Sequence, residues 1–105
     1  MSGLDVALRV FELLDSTFKA TVYKKDGDFV KSGEFIADFS GKTACLLKGE
    51  RTALNLLQHM SGIATATNNA MKKIEGTNAS VADTRKTLPG LRALQKYAVT
   101  VGGGK

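Results

Sequence analysis

Between Ala79 and Ala98 the chain changes its hydrophobic period, and that change narrows its possible folds more than any other feature. Ala79 to Ala82 is small and β-permissive, Pro89 and Gly90 punctuate a turn, and Leu91, Leu94 and Ala98 then recur at helical spacing. The pattern predicts a strand, a loop and a helix. Parallel sheets, open or closed into barrels, bind ligands at the carboxyl ends of their strands. Here that position carries Asp83-Thr84-Arg85-Lys86-Thr87. Arg85 offers a planar fork for a carboxylate or phosphate, and Lys86 offers a point charge. A phosphorylated or polycarboxylate ligand would suit them. Taken alone, the same pair also fits a solvated loop, because charged side chains are mostly exposed.

Length sets the next bound. A closed eight-stranded (β/α) barrel takes about 250 residues, so a chain of 105 could only begin one. The composition, 43% hydrophobic and 24% charged, is that of an ordinary globular protein with a modest core. The net charge of +5 comes from lysines scattered from Lys19 to Lys73 without an aromatic stripe to stack bases, which argues against nucleic acid as a partner. Apolar runs fall far short of the ~20 residues of a membrane span, and Met1-Ser2-Gly3 leads straight into a helix pattern rather than a signal peptide, so a cytoplasmic location is expected. Cys45 and His59 are each the sole residue of their type, which leaves no disulfide and no metal-ligand spacing. Cys45 reads as a small buried hydrophobe.

Along the chain, Ser2 and Asp5 resemble a capping box, and Leu4, Ala7, Leu8, Phe11 and Leu14 predict a helix to about Asp15. From Phe18 to Phe39, breaks at Asp26-Gly27-Asp28 and Ser32-Gly33 predict two or three short strands. The stretch from Asp26 to Ser40 resembles half of a lipoyl- or biotinyl-type sandwich. It lacks the modified lysine flanked by methionine or aspartate that a carrier function requires, so it suggests a β-rich scaffold only. Leu46, Leu47, Ala53, Leu54, Leu57 and Met60 form one helical stripe from about Thr43 to Met60, with Arg51 at its shoulder. Glu50 falls inside the stripe. Either that face is partly wet, or Glu50 has a partner, or it is an acid favoured near a helix start. His59 lies opposite the stripe and reads as a solvated or interface residue without a catalytic role. Ser61-Gly62 is expected to break the helix before a second one, Ile63 to Ile74, whose run Ala64-Thr65-Ala66-Thr67 would allow close approach of helices or subunits. Gly76 would cap it, behind Lys72 and Lys73 in the last turn. The triple glycine Gly102-Gly103-Gly104 suggests a connection cut midway.

Four blocks in consistent order, Gly49-Glu50-Arg51-Thr52-Ala53-Leu54-Asn55-Leu56-Leu57, Ser61-Gly62-Ile63-Ala64-Thr65, Asp83-Thr84-Arg85-Lys86-Thr87-Leu88-Pro89-Gly90 and Lys96-Tyr97-Ala98-Val99 with the triple glycine, closely resemble the quinolinate phosphoribosyltransferase family. The resemblance implies an α/β fold: part of an N-terminal α/β sandwich domain over residues 1–42, connecting helices over 43–78, and the first strand-helix unit of an incomplete (β/α) barrel over 79–105. It implies an enzyme of NAD biosynthesis that converts quinolinate and phosphoribosyl pyrophosphate, with Mg2+, to nicotinate mononucleotide, pyrophosphate and CO2, as a homodimer or higher homo-oligomer. Carried over by position, the substrate-binding residues are Thr84, Arg85 and Lys86, with Arg51 delivered from the partner subunit. No catalytic or metal-binding residue is assigned. The family's later His-Arg pair, lysine and acidic residues, which hold phosphoribosyl pyrophosphate and its metal, have no counterpart here, so the chain alone is expected to be an inactive fragment. A molybdenum-transport-associated homologue resembles the same pattern, but Asp83 before Thr84-Arg85-Lys86-Thr87 favours the quinolinate enzyme. A non-catalytic truncated product is the remaining alternative.

Overall fold

The computed structural model describes residues 1–84 and 87–105. Its elements are α1 (Leu4–Leu14), β1 (Lys19–Val22), β2 (Ala37–Ser40), α2 (Thr43–Lys73) and α3 (Arg92–Val101), a mixed α/β arrangement. The spine is α2, whose 31 residues run about 46 Å at 1.5 Å per residue. The helix α1 packs on its first half and α3 on its second.

The first helix buries Leu4, Ala7 and Phe11, as the spacing predicts, but its start is built differently. Gly3 occupies the cap position at φ +95° and has no side chain to offer. The Asp26 carboxylate instead accepts from the Gly3 and Leu4 amides at 3.0 and 3.1 Å, filling the role of the expected Ser2/Asp5 box from a distant loop. Ser2 is fully buried and its backbone is engaged elsewhere. Its amide donates to the Ser61 hydroxyl at 3.0 Å, which in turn donates to the Ser2 carbonyl at 3.1 Å.

Between Phe18 and Phe39 two strands form, antiparallel, with register from Lys19↔Ser40 to Val22↔Ala37. Phe29 and Val30 belong to the connecting loop. A two-stranded ribbon is marginal alone. It is held by Phe39 and Phe18, whose rings stack on Phe11 of α1 at centroid distances of 5.1 and 5.3 Å.

The expected break at Ser61-Gly62 does not occur. A glycine inside a helix costs about 1 kcal/mol relative to alanine, whereas Gly49, Ala53, Met60, Ala64 and Thr67 lie on one buried stripe that continues in phase through Gly62. Packing along that stripe outweighs the local penalty. The small residues also divide by face: Ala64 and Thr67 are buried, as are Ala98 and Gly102 of α3 and its end, while Thr65 and Ala66 are exposed. Gly76 adopts φ +86°, but it stands two residues beyond the cap residue Ile74.

No strand forms at Ala79 to Asp83, although the segment is aligned as one. The Lys105 amide donates to the Val81 carbonyl at 2.8 Å, and the Asp83 amide donates to the Lys105 carbonyl at 3.3 Å. One residue joining a parallel neighbour makes this pair of bonds, with α3 as the crossover. The ladder has a single rung, too short for a strand.

Cys45 is half-buried rather than buried, and its thiol donates to the Leu14 carbonyl at 3.3 Å. Glu50 is exposed beside Leu47 and Leu54 at an open apolar cleft that also takes in Phe39, which answers the wet-face alternative.

The end of α1 and the start of α2 meet at Asp15. Its carboxylate accepts from the Thr17 hydroxyl (2.6 Å), the Thr17 amide (2.9 Å) and the Lys42 amide (2.7 Å). These bonds, the Thr17 hydroxyl first, favour the ionised form and hold the group below the ordinary aspartate range. The charged form is thus preferred in the fold. Its contribution is fully present above the unfolded value near pH 3.9 and is lost as pH falls through the lower folded value. Asp15→Asn is expected to lower the melting temperature at pH 7, and the difference from the native protein should shrink below about pH 4. An offset that stays constant from pH 7 to pH 2 would refute this reading.

Candidate functional site

The loop that sequence reasoning singles out is fastened at both ends. On the near side, the Asp83 amide is tied to Lys105. One Asp83 carboxylate oxygen is buried with no hydrogen-bond partner, an arrangement that ordinarily calls for a nearby donor. Thr84 is exposed. Arg85 and Lys86, the two cations of the expected ligand site, lie outside the described residues.

On the far side, Leu88-Pro89-Gly90-Leu91 closes a turn, with the Leu91 amide donating to the Leu88 carbonyl at 3.1 Å. Proline at its second position and Gly90 at φ +78° in its third are what a type II turn demands. The turn feeds α3, whose cap residue Leu91 has no side-chain cap bond. The Gln95 amide oxygen, one turn into α3, accepts from the Leu88 amide at 3.1 Å. Its nitrogen lies 2.8 Å from His59 Nε2 on α2. His59 is therefore half-buried against α3, which matches the interface alternative of its reading rather than the solvated one. No local signal in the sequence marks Gln95; its partners are 7 and 36 residues away.

Arg51 is exposed on α2, in a shallow cleft of 370 Å³ lined, among the described residues, by Leu47, Glu50, Leu54, Asn55 and Gln58 of the same helix. Among the described residues its guanidinium makes no ion pair; those present are Arg9–Glu12 and Lys24–Glu34. Thr84 does not line this cleft. Arg51 and Thr84 thus stand on different elements, the one on α2 and the other on the loop before α3.

Behind the loop, α3 is tied to the start of the chain. The Tyr97 hydroxyl donates to Asp26 at 2.7 Å, and that bond, followed by burial, pushes the phenol up to about 12. Asp26 thus joins α1, the β1–β2 connection and α3 at one carboxylate. Among the described residues no three His, Cys, Asp or Glu side chains come together to hold a metal, and no helix is long and apolar enough to cross a membrane.

Family models match nearly the whole chain: quinolinate phosphoribosyl transferase, N-terminal domain, over residues 1–61, and the C-terminal domain of the same family over residues 63–105. Among curated relatives, a probable nicotinate-nucleotide pyrophosphorylase (carboxylating) of Bacillus subtilis is 48% identical over 98% of the chain. The nicotinate-nucleotide pyrophosphorylase (carboxylating) of Mycobacterium leprae is 50% identical over 99%. The solved structure of NadC from Streptococcus pyogenes superimposes with a TM-score of 0.93 at 45% identity, covering 98% of this chain and 38% of that one. The chain spans 36% of the Bacillus relative and 37% of the Mycobacterium relative.

Proposed function

This chain belongs to the quinolinate phosphoribosyltransferase family, and we propose that the full-length protein carrying it makes nicotinate mononucleotide from quinolinate and phosphoribosyl pyrophosphate, releasing pyrophosphate and CO2. The observation that carries the reading is the unbroken match of both family domains along residues 1–61 and 63–105.

The residues present account for the quinolinate half of the reaction. Quinolinate is a dianion, and burying two carboxylates needs several cations placed to meet them. Arg85 and Lys86, with Thr84 beside them, supply cations and a hydroxyl at the carboxyl end of the aligned segment. Held there, the ring nitrogen faces the anomeric carbon. A bond forms between them as pyrophosphate leaves with the electron pair of the broken C–O bond. The ring-bound carboxylate next to the new bond is then lost as CO2, its electron pair stays on the ring carbon, and a proton completes the product. Fixed positive charge around the site favours both departures.

Arg51 is proposed to act across a homodimer. In support, the described residues lining its cleft all belong to α2, and Thr84 is not among them, which suits a guanidinium offered to a second subunit. Magnesium would enter with phosphoribosyl pyrophosphate. The described residues offer no carboxylate cluster for it, and no step is assigned to it here. The reaction is proposed to run in the cytoplasm, although two plant relatives are described as chloroplastic.

The test uses quinolinate labelled in the carboxyl group that is lost. With phosphoribosyl pyrophosphate, the full-length protein is expected to release labelled CO2 and form nicotinate mononucleotide in equal amounts, whereas residues 1–105 alone are expected to release none. No release by the full-length protein overturns the proposal. Release by the short chain overturns the placement of the phosphoribosyl pyrophosphate site outside it.

A further inference from the structure

Asp26-Gly27 is the one Asp-Gly or Asn-Gly pair in the chain, and no role assigned above uses its chemistry. In such a pair the glycine amide nitrogen attacks the carboxyl carbon of the aspartate side chain. A C–N bond forms, the C–OH bond of the protonated carboxyl breaks, and the hydroxyl leaves with the amide proton as water. Water then opens the five-membered imide at its other carbonyl. The chain now runs through the former side chain, with its mass unchanged. Glycine favours the attack because it has no Cβ to hinder it and its backbone is the most freely adjusted.

Crowding does not prevent the reaction here. The pair lies at the tip of a turn over residues 25–28, where the Asp28 amide donates to the Lys25 carbonyl at 3.0 Å and Gly27 adopts φ +96°. Nothing stands within 4 Å of where a Gly27 Cβ would point. The restraint is made of hydrogen bonds instead. One Asp26 oxygen accepts from the Gly3 amide at 3.0 Å and from the Tyr97 hydroxyl at 2.7 Å, and the other accepts from the Leu4 amide at 3.1 Å. The attacking group is engaged too, since the Gly27 amide donates to the Met1 carbonyl at 2.9 Å. Both reacting groups are thus held by partners outside the turn.

We propose that Asp26-Gly27 is an isoaspartate-forming modification site that the fold keeps silent, with Tyr97 of α3 as the restraint most easily withdrawn. The Gly3 and Leu4 amides belong to the start of α1, where Leu4 is buried, whereas Tyr97 is 44% exposed and reaches Asp26 across 71 residues of chain. The imide forms only from molecules in which the carboxylate has been released, so its rate follows the population of that open state. Conversion then makes the release permanent. It lengthens the backbone by one methylene and sets the carboxylate directly on Cα, on a stem too short to meet the same three donors. With it α1 loses its cap and α3 its tie to the start of the chain. The inference goes beyond the proposed reaction and does not depend on it.

The full-length protein is aged at neutral pH, folded and in parallel unfolded in guanidinium chloride, and then digested with trypsin. Cleavage after Lys25 and Lys31 releases residues 26–31 with the pair at its head. The isoaspartyl peptide has the same mass, separates by chromatography and is assigned by electron-transfer fragmentation. The folded protein is expected to convert at least about a hundredfold more slowly than the unfolded one, because opening breaks three bonds to a charged group. Tyr97→Phe removes one of them and should convert about tenfold faster than the folded native protein. Equal rates in the folded and unfolded protein overturn the proposal. A native rate in Tyr97→Phe overturns the part given to α3, and so does an equal fold-rise at Asp15-Ser16, which marks general unfolding. If Tyr97→Phe does not fold, the comparison of folded with unfolded native protein decides alone. Quinolinate turnover enters none of these readouts, so failure of the proposed reaction leaves the test standing.

Discussion

Arg85→Ala in the full-length protein is expected to weaken quinolinate binding about a hundredfold, as two charge-assisted hydrogen bonds to one carboxylate would predict. Calorimetric titration with quinolinate measures it, and unchanged affinity would remove Arg85 from the site. Arg85→Lys should fall between, because an ammonium keeps the charge but not the two-pronged geometry. Arg51→Ala should impair activity comparably, for a different reason that mixing exposes. If Arg51 serves the neighbouring subunit, a mixed dimer of Arg51→Ala and Arg85→Ala chains contains one site with both arginines native. Random pairing then restores about a quarter of native activity from two nearly inactive proteins. Arg51 acting within its own chain predicts no recovery, since every chain in the mixture lacks one arginine.

How much of this was open to reading from the sequence depended on how far apart the deciding partners lay. The buried face of α1 is a local repeat of Leu4, Ala7 and Phe11, and the structure has it. The cap on that helix is not local. It comes from Asp26, 22 residues beyond Leu4, so a nearer serine was a plausible and wrong substitute. Gly62 carried a real local preference against helix, but the evidence that outweighs it is a stripe running from Gly49 to Thr67, visible only once α1 and α3 are seen to press on it. The segment before the ligand loop was legible as strand-like but not by its partner, because Lys105, to which Val81 and Asp83 bond, returns across the whole of α3. The same reasoning explains His59, whose helical position faces away from the apolar stripe and into Gln95. Arg51 and Thr84 were found by motif, a signal of chemistry rather than of packing. Motif says nothing of the bonds that Asp83 and Leu88 make on either side of it.

Two glycines that look alike in the sequence are expected to respond in opposite directions to the same added methyl group. Gly62 sits inside α2 with open space where a Cβ would point. Gly62→Ala should therefore stabilise by about 1 kcal/mol, the difference in helix propensity. Gly102 has φ −74° and ψ −3°, a conformation alanine adopts freely, so unfolded-state entropy alone would predict a gain of about 0.4–1 kcal/mol. Contact reverses that sign. A Cβ on Gly102 would collide with the carbonyl oxygen of Ala64 and come within 2.8 Å of the Thr67 Cβ. The carbonyl belongs to the backbone of a 31-residue helix and cannot swing aside like the tip of a side chain. Relief requires α3 to move off α2, opening the seam where Ala98 is fully buried. Gly102→Ala is accordingly expected to destabilise by about 3 kcal/mol, the upper part of the overpacking range. Urea midpoints of the two variants and the native protein decide it. A Gly102→Ala variant as stable as Gly62→Ala would mean that the α2–α3 seam is looser than the Ala64–Gly102 approach implies.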